Sequence, residues 1–246
     1  MKLLFLYYDL MNLYGETGNM RVLERHLRDQ GLEITVVGKT VGDELDFSEF
    51  DFVYAGSGTE RSQKVAMRHL LQYRDSFAQA VERGVPMLFT GNAFEMLGAS
   101  ISDANGTLHQ GLGILPFTTT EQSQTRYVSD ALASCELVEP TVVGFVNKCS
   151  QCEGIDSPLF QMSMGYGNTL NTKEEGLHYR NILGTHLIGP LLVKNPALME
   201  WVVKLIGARQ EGFTYIPKSY EYEEKAYLAS YMGLKEYQQS QQQAKK

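Results

Sequence analysis

The sequence predicts an α/β fold built on a mostly parallel sheet, and three observations support this class. Short apolar runs such as Leu3–Tyr8 and Val85–Thr90 have the length and near-continuous hydrophobicity of central parallel strands. Longer segments with apolar residues on one helical face separate these runs. Glycines such as Gly31 and Gly84 follow the segments and are typical helix ends. Strands that alternate with amphipathic helices indicate a parallel sheet covered by helices.

The first half of the chain supplies most of this pattern. Apolar side chains recur at helical spacing in its longer segments, and glycine closes both the long helix and the strand that follows it. In order, the predicted elements are a strand at Leu3–Tyr8, a helix at Asn19–Gln30, strands at Leu32–Val37 and Phe50–Ala55, a helix at Glu60–Arg83, a strand at Val85–Thr90, and a helix from Asn92 or Ala93 to Gly98.

The second half is less regular. Residues 101–167 are rich in β-branched residues and turns, so we expect short strands there at the far edge of the same sheet. We assign residues 1–210 to one domain. The predicted elements of this half are edge strands at Tyr127–Val128, Thr141–Asn147 and around Met164, a strand at Asn181–His186, and a helix at Asn195–Ile206.

Residues 211–246 form a C-terminal tail of different composition. From Ser219 onward, Glu and Lys at helical spacing predict a solvated helix, and the Gln-rich end is expected to fray. Two interpretations stay open. The tail is either a surface helix with a loose end or a helix that docks a partner. The second interpretation rests on the tyrosines at positions 220, 222, 227, 231 and 237.

Composition excludes several classes of function. The 246 residues include 29 Asp and Glu against 22 Lys and Arg, so the formal net charge is −7. Such a chain is a poor candidate for binding nucleic acid or an anionic membrane. No apolar stretch approaches the ~20 residues of a membrane helix, so we expect no membrane insertion. Three cysteines cannot form a disulfide framework, and we expect a cytoplasmic protein.

The best-defined site signal is the junction LFTGNAFEMLG at residues 88–98. A parallel strand that turns tightly into a helix exposes one residue at its tip, and the helix directs backbone N–H groups toward that point. In a nucleophile elbow, Ser or Cys at the tip attacks an acyl carbon while the N–H groups hold the oxyanion. The spacing makes this junction an elbow candidate.

Five further blocks of sequence carry a family resemblance, and their order along the chain matters more than any one of them. Together they resemble the class I glutamine amidotransferases of the cobyric acid synthase type, and within these the glutaminase subunits of lipid II-amidating synthetases. The blocks are DLMNLYGETGN at 9–19, GSGTERSQ at 56–63, GLGILPFTT at 111–119, GFVN at 144–147, and GYGN followed by GTHLIGPLLVKNP within 165–196.

The resemblance implies a fold and a mechanism. The fold is a flavodoxin-like three-layer sandwich. The mechanism uses a cysteine at the elbow, which attacks the amide of glutamine, and a histidine that precedes the Gly-Pro-Leu-Leu motif. Gly98 sets the register of the family elbow, CGGxQxLG, and places the cysteine position at Gly91. The histidine position falls on Ile188. Both members of the expected dyad are therefore replaced, and we expect Ile188 to fill the vacated pocket.

Three other residues near the elbow are candidate substitutes: Thr90, Glu95 and His186. His186 lies two positions before Ile188 and shares its strand face, about 6–7 Å away along the strand. It is a candidate substitute for the base, but a base alone does little when the elbow has no nucleophile for it to activate. Thr90 and Glu95 are given structural roles, Glu95 because a carboxylate is favourable in a first helical turn.

The resemblance also implies a ligand pocket that involves Gly56, Gly58, Asn92 and Arg126. Arginine can clamp a carboxylate in a bidentate manner, so glutamine or a similar small acid is the expected ligand. The alternative for Arg126 is a surface arginine on an edge strand.

The Cys149-Ser150-Gln151-Cys152 segment invites a zinc or redox interpretation. Zinc needs four ligands, and Cys135 and a distant histidine are the only evident additions. The segment also does not open a helix, as a thioredoxin-like motif does. We therefore predict loop thiols, no metal and no cofactor.

Three hypotheses about function remain open. The first is a catalytically silent subunit that binds or regulates a separate Mur-ligase-like synthetase. The second is an active glutaminase subunit that supplies ammonia for amidation of a peptidoglycan precursor or a corrinoid. The third is an interaction module that docks a partner through the tyrosine-rich tail and uses the pocket as a ligand sensor. The absence of a cysteine at Gly91 and of a histidine at Ile188 favours the first.

Overall fold

A computed structural model describes residues 1–244. Fifteen strands and six α-helices are present in these residues. The strands are β1 Lys2–Leu6, β2 Thr35–Lys39, β3 Phe52–Ala55, β4 Met87–Thr90, β5 Ser100–Ser102, β6 Leu108–Gln110, β7 Thr118–Glu121, β8 Tyr127–Cys135, β9 Val138–Lys148, β10 Ser150–Glu153, β11 Phe160–Met164, β12 Glu174–Glu175, β13 Leu177–Tyr179, β14 Ile182–Thr185 and β15 Leu187–Ile188. The helices are α1 Thr17–Asp29, α2 Glu60–Leu70, α3 Arg74–Glu82, α4 Leu191–Lys194, α5 Pro196–Gly207 and α6 Glu221–Ala244.

A six-stranded sheet forms the middle layer, with strand order β13-β14-β4-β3-β1-β2. Five neighbouring strands run parallel, and β13 at the edge is antiparallel to β14. Alternate residues of β1 face opposite sides: Leu4 and Leu6 pack into one apolar cluster, and Leu3 and Phe5 pack into the other. Helices α2 and α3 contribute to the first cluster, and α1 and α5 to the second. The predicted α/β three-layer sandwich with a mostly parallel sheet is confirmed.

The prediction for residues 101–167 is wrong. These residues form two separate sheets instead of short strands at the edge of the main sheet. One has the order β10-β7-β5-β6, and the other has the order β12-β11-β8-β9-β15. The longest strands, β8 and β9, pair antiparallel across the two residues Glu136 and Leu137. A short connection favours local antiparallel pairing, whereas joining the parallel sheet requires a crossover of a dozen or more residues.

Two helical predictions also differ from the structure. The helix expected at 60–83 is divided by a 3₁₀ turn at Leu71–Tyr73 into α2 and α3. The segment after β4 is a 3₁₀ helix, Gly91–Leu97, whereas an α-helix was expected. A short 3₁₀ helix after a strand keeps the backbone tight against the sheet end, where Gly98 leaves no room for a side chain beside Phe117.

The tail is a continuous helix, α6, and the predicted fraying of the Gln-rich end is not seen up to Ala244. Residues 245–246 lie outside the described residues. The start of α6 and the residue before it contact the body. Tyr220, just before the helix, stacks on His26 with ring centroids 3.8 Å apart, and Glu223 accepts from His26 Nε2 at 3.0 Å. Tyr227 Oη donates to the carbonyl of Thr141 at 2.8 Å.

Within residues 1–244, the helices are all too short or too polar to cross a lipid bilayer.

Candidate functional site

Gly91 lies at the tip between β4 and the 3₁₀ helix Gly91–Leu97. Its φ angle is +60°, a left-handed conformation that costs other residues about 1–2 kcal/mol because of the Cβ atom. The backbone at this position therefore has the strained geometry that an elbow requires, while the residue itself has no side chain to act as a nucleophile.

Ser57 occupies the space in which a side chain at position 91 would lie. An ideal Cβ built on Gly91 would lie closer than 3.0 Å to both Ser57 Cβ and Ser57 Oγ, and 3.1 Å from Ser57 Cα. Real Cβ contacts essentially never come so close. The space beside Gly91 is thus taken by a serine from the loop opposite, and not by Ile188 as the sequence suggested.

Ile188 is buried in β15, where its Cα pairs with that of Phe145 in β9. It is not among the described residues that line the cavity beside the elbow. Its side chain therefore has a packing role, and isoleucine has no atom that can accept a proton.

The loop Gly56–Gly58 is clamped against the elbow by Asn92. Asn92 Oδ1 accepts from the backbone N–H of Gly58 at 2.9 Å, and Asn92 Nδ2 donates to the Gly58 carbonyl at 3.0 Å. A Cβ on Gly56 would collide with Glu16 and the Met11 carbonyl, which explains the glycine there. These contacts occupy both ends of the Asn92 amide, so Asn92 holds the loop in place and has little capacity left for a ligand.

A cavity of about 160 Å³ opens beside this loop. It brings together three of the four predicted ligand-binding residues, Gly58, Asn92 and Arg126, whereas Gly56 is not among the lining residues. The lining residues are Leu13, Tyr14, Ser57, Gly58, Thr59, Glu60, Asn92, Glu95, Glu121, Arg126, Asn147, Lys148, Cys149 and Ser150.

Arg126 is held by two partners at the mouth of this cavity. It donates to the carboxylate of Glu60 and, through Nη1, to Asn147 Oδ1 at 2.9 Å. Burial opposes ionisation of Glu60, but hydrogen bonds from its own backbone, Cys149 and Arg126 outweigh it and lower the Glu60 pKa. A ligand carboxylate would have to displace the charged Glu60 from the guanidinium to be clamped.

Cys149 is the one thiol among the cavity-lining residues. Its Sγ donates to Glu60 Oε1 at 3.3 Å. Burial, together with the negative charge of Glu60, raises the pKa of Cys149 to about 12. The thiolate is the nucleophilic form of cysteine, so this thiol is unreactive near neutral pH.

The other two cysteines lie elsewhere, and the prediction of loop thiols is wrong for Cys152. Cys152 is buried in strand β10, where its Sγ is 3.4 Å from Thr119 Oγ1. Cys135 is at the end of β8. Cys149 and Cys152 therefore point into different surroundings and do not act as a pair.

His186 is fully enclosed between two carboxylates. Its Nε2–H donates to Glu95 Oε1 at 2.9 Å, its backbone N–H donates to Glu175 Oε1 at 2.7 Å, and its Nδ1 lies 3.3 Å from the same Glu175 oxygen. Burial and the neighbouring Lys148 oppose protonation, but hydrogen bonds with Cys152, Glu175 and Glu95 outweigh them and raise the His186 pKa to about 10. The imidazole keeps its proton at neutral pH and is not a free base for the elbow.

Glu95 has a larger role than the sequence suggested. Its carboxylate accepts from Gln63 Nε2 at 2.7 Å, from His186, and from the Ser150 hydroxyl. Burial raises its pKa, but the hydrogen bond and charge of His186 more than compensate, so the Glu95 pKa is lowered. Part of the signal was present in the sequence, because Glu95 stands where the family elbow has glutamine. Only the structure shows that Glu95 and His186 touch.

Comparison with known proteins identifies the family of this chain. The sequence model of the CobB/CobQ-like glutamine amidotransferase domain matches residues 2–196. The chain belongs to this family. Two relatives of this CobB/CobQ-like chain share most of its length, and both are named lipid II isoglutaminyl synthase (glutamine-hydrolyzing) subunit GatD. The protein from Staphylococcus aureus is 31% identical over 87% of both chains, and that from Streptococcus pneumoniae is 29% identical over 78% of this chain and 75% of its own.

Solved structures resemble the CobB/CobQ-like chain at the level of the fold. PurLQS from Thermotoga maritima has a TM-score of 0.55 at 16% identity, covering 83% of this chain and 94% of the matched chain. A second structure, described as a glutamine amidotransferase, has a TM-score of 0.56 at 13% identity and covers 83% and 98%. The flavodoxin-like architecture of class I amidotransferases is thereby shown for this chain.

Proposed function

We propose that this protein is a non-hydrolysing binding or regulatory subunit of an amidating synthetase of the lipid II type. One observation carries the proposal. The elbow tip is Gly91, and the space for a nucleophilic side chain is filled by Ser57. Loss of an elbow nucleophile costs an acyl-transfer enzyme on the order of 10⁶-fold in turnover, so a chain of this kind serves its complex by binding.

The residues in the positions where a general base is expected support the same conclusion. Ile188 cannot accept or donate a proton, and the His186 imidazole is held by Glu95 and Glu175. A general base must reach the group from which it takes a proton, either directly or through one water. Neither Ile188 nor His186 is among the described cavity-lining residues.

Two nucleophilic side chains that line the cavity, Ser57 and Cys149, lack activation. The hydroxyl of Ser57 lies 3.5 Å from Asn92 Oδ1, and an amide oxygen is too weak a base to activate a serine. The thiol of Cys149 is held protonated beside Glu60, as its raised pKa indicates.

The partner in this proposal is a separate Mur-ligase-like synthetase. The proposal is supported by the similarity to two proteins that are named as subunits of lipid II isoglutaminyl synthase. The ligand would be glutamine or a similar small acid, held without cleavage in the cavity that Arg126 borders. A cytoplasmic location, where nucleotide-dependent synthetases and their precursors meet, belongs to the same proposal.

A second candidate function is an active glutaminase subunit that supplies ammonia for amidation of a peptidoglycan precursor or a corrinoid. The observation in its favour is the similarity itself, because the relative that is 31% identical over 87% of the chain is named as glutamine-hydrolyzing. This function requires a nucleophile other than residue 91.

Covalent labelling tests the proposal. The full chain, alone and mixed with its synthetase, is incubated with a diazo ketone analogue of glutamine and then digested for mass spectrometry. We expect no glutamine-protectable label on the chain. A label on Cys149 or Ser57 that excess glutamine prevents, and that is lost in the Cys149→Ser or Ser57→Gly variant, would establish the active glutaminase instead. The Cys135→Ser variant serves as the matched control.

A further inference from the structure

Three buried side chains next to the cavity wall present metal-binding atoms to one another. A carboxylate oxygen of Glu95, the Sγ of Cys152 and a ring nitrogen of His186 all lie within 4.8 Å of each other. Each of the three residues is at most 2% exposed. The residues come from distant parts of the sequence, so the cluster depends on the tertiary fold.

Each ligand is held by a separate element. Glu95 lies in the 3₁₀ helix after β4, Cys152 lies in β10, and His186 lies between β14 and β15. Glu95 is further fixed by Gln63 and Ser150. Side chains supported by surrounding hydrogen bonds keep a metal site in the right geometry.

Glu175 orients the imidazole in the way that metal sites require. Its carboxylate lies 3.3 Å from His186 Nδ1 and accepts the His186 backbone N–H at 2.7 Å. A histidine that ligates a metal almost always gives its other ring N–H to a carboxylate or a carbonyl, which fixes the ring and the tautomer. With Nδ1 directed at Glu175, Nε2 becomes the ligand atom when the ion displaces the proton that Nε2 donates to Glu95 in the metal-free protein.

We propose that Glu95, Cys152 and His186 form a binding site for one divalent transition ion of the zinc type. One thiolate, one imidazole and one carboxylate suit zinc and its neighbours, whereas calcium and magnesium prefer oxygen ligands alone. The charge also balances. The ion displaces the thiol proton of Cys152 and the Nε2 proton of His186, both released to solvent, and its two positive charges neutralise the resulting thiolate and the carboxylate of Glu95.

The dimensions fit a small tetrahedral ion. Bond lengths of about 2.0–2.3 Å place tetrahedral ligand atoms roughly 3.3–3.8 Å apart. The His186 Nε2 to Glu95 Oε1 distance of 2.9 Å and the limit of 4.8 Å for the set bracket this range, so shifts of about 1 Å bring the three ligand atoms to these separations. The fourth tetrahedral position is left to a ligand from outside the chain, as in zinc sites with three protein ligands. Lys148 lies 3.5 Å from Nδ1, on the ring nitrogen away from Glu95, and its ammonium is anchored by the Gly167 carbonyl at 2.6 Å.

This inference goes beyond the proposed function, because it stands on residues that a glutamine ligand does not need to touch. Glu95 belongs both to the cluster and to the cavity wall. A bound ion would therefore tie β10 to the elbow segment and stiffen the wall of the cavity.

Cobalt substitution tests the site in the full chain. Protein freed of metal with a chelator is titrated with Co²⁺, and the thiolate-to-cobalt charge-transfer band is followed. We expect a band that saturates at one ion per chain, is lost in Cys152→Ser and is retained in the matched Cys149→Ser variant. Absence of the band in the wild-type chain, or its persistence in Cys152→Ser, would overturn the proposal.

A second measurement covers variants that fail to fold. X-ray absorption of the wild-type chain loaded with Zn²⁺ should show one sulfur at about 2.3 Å together with nitrogen and oxygen ligands. Zn²⁺ should also raise the melting temperature of the wild-type chain but not of Glu95→Gln, because an ion that binds only the folded state stabilises it. A shell of nitrogen and oxygen alone, or an equal shift in Glu95→Gln, would contradict the assignment.

Discussion

At the scale of single residues, Ser57 occupies the space that a side chain at position 91 would need. Gly91 is held at φ +60°, and Ser57 occupies the space beyond its Cα. A side chain at position 91 therefore meets two separate costs, backbone strain and collision with the serine. The two costs can be separated by experiment, because Gly106 has a similar φ of +81° with no atom within 4 Å of an added Cβ.

Gly106→Ala should lower the free energy of unfolding by about 1–2 kcal/mol, the cost of a left-handed Cβ. Gly91→Ala should cost that amount and a further ~1–3 kcal/mol for overpacking against Ser57. Adding Ser57→Gly to Gly91→Ala should recover the overpacking part. Urea unfolding of the four proteins measures these differences. Equal destabilisation by Gly91→Ala and Gly106→Ala would show that Ser57 does not crowd a side chain at position 91.

Glu16 provides a prediction about pH. Its buried carboxylate accepts from Tyr54, from Thr90 Oγ1 at 2.9 Å and from the Ser57 backbone N–H at 3.3 Å, yet burial outweighs these bonds and raises the Glu16 pKa. A carboxyl whose pKa is higher in the folded state stabilises fully below its unfolded pKa. That contribution is lost as pH rises through the folded value.

Glu16→Gln should remove this pH dependence. The free energy of unfolding of the variant minus that of the wild type should therefore increase as pH rises from about 4 toward neutrality. Urea unfolding at several pH values measures the difference, and Glu49→Gln at an exposed position is the control. A difference that stays flat or falls with rising pH would show that the Glu16 pKa is not raised.

The sequence allowed Gly91 to be placed at the elbow tip, because Gly98 sets the register within one short segment. It could not reveal Ser57, which lies 34 positions earlier, or the contact between Glu95 and His186. Such contacts depend on how distant segments pack, and no local pattern records them. For the same reason, the sequence could not show that the guanidinium of Arg126, at the mouth of the cavity, is bonded to Glu60.

At the scale of elements, helix α6 differs from the sequence prediction more than the other helices do. The sequence predicted a solvated helix with a frayed end, but α6 is continuous and its first half is bonded to the body. Gln238 adds a contact further along, where its amide donates to the Ser163 carbonyl at 2.8 Å. Between α6 and the body lies a cavity of about 360 Å³ with a largely apolar lining.

Deletion of residues 219–246 should destabilise the protein by about 2–4 kcal/mol, because at least three hydrogen bonds of ~0.5–1.5 kcal/mol each are lost. For a chain of this size, that loss corresponds to a melting temperature lower by roughly 4–16 °C. Deletion of residues 239–246 alone removes none of the contacts named above and is the matched control. An unchanged melting temperature after the longer deletion would show that α6 is not packed on the body in solution.

The longer deletion also bears on partner binding. If complex formation with the synthetase is unchanged, the tyrosine-rich tail is not a docking element, and the hypothesis of an interaction module built on the tail fails.

The parallel strands were predictable because each is a short apolar run buried on both faces. For residues 101–167, the sequence predicted strands but not the two separate sheets that they form. In β9, buried Val146 stands between the half-exposed Phe145 and Asn147. Only the apolar stretches of such strands were recognised, and the pairing partners are set by turns and tertiary contacts.

At the scale of the whole molecule, an amidotransferase fold surrounds an elbow without a nucleophile. The family resemblance predicted the fold correctly, since packing depends on many residues. Chemistry depends on a few side chains in one place, so the fold by itself does not establish the reaction.

The double variant Gly91→Cys/Ile188→His should remain inactive as a glutaminase, because Ser57 blocks the thiol. Adding Ser57→Gly should give the first measurable release of glutamate from glutamine. The comparison of the double and triple variants in one assay measures the effect of Ser57 alone. Equal activity of the two variants would contradict the steric role of Ser57.

The most direct measurement is the turnover of glutamine by the wild-type chain in complex with its synthetase partner, followed as glutamate released. The proposed function predicts no glutamate above that released by the synthetase alone, while the complex itself forms and is detected by size-exclusion chromatography. Sustained turnover that requires this chain, and that disappears in its Cys149→Ser or Ser57→Gly variant, would contradict the account.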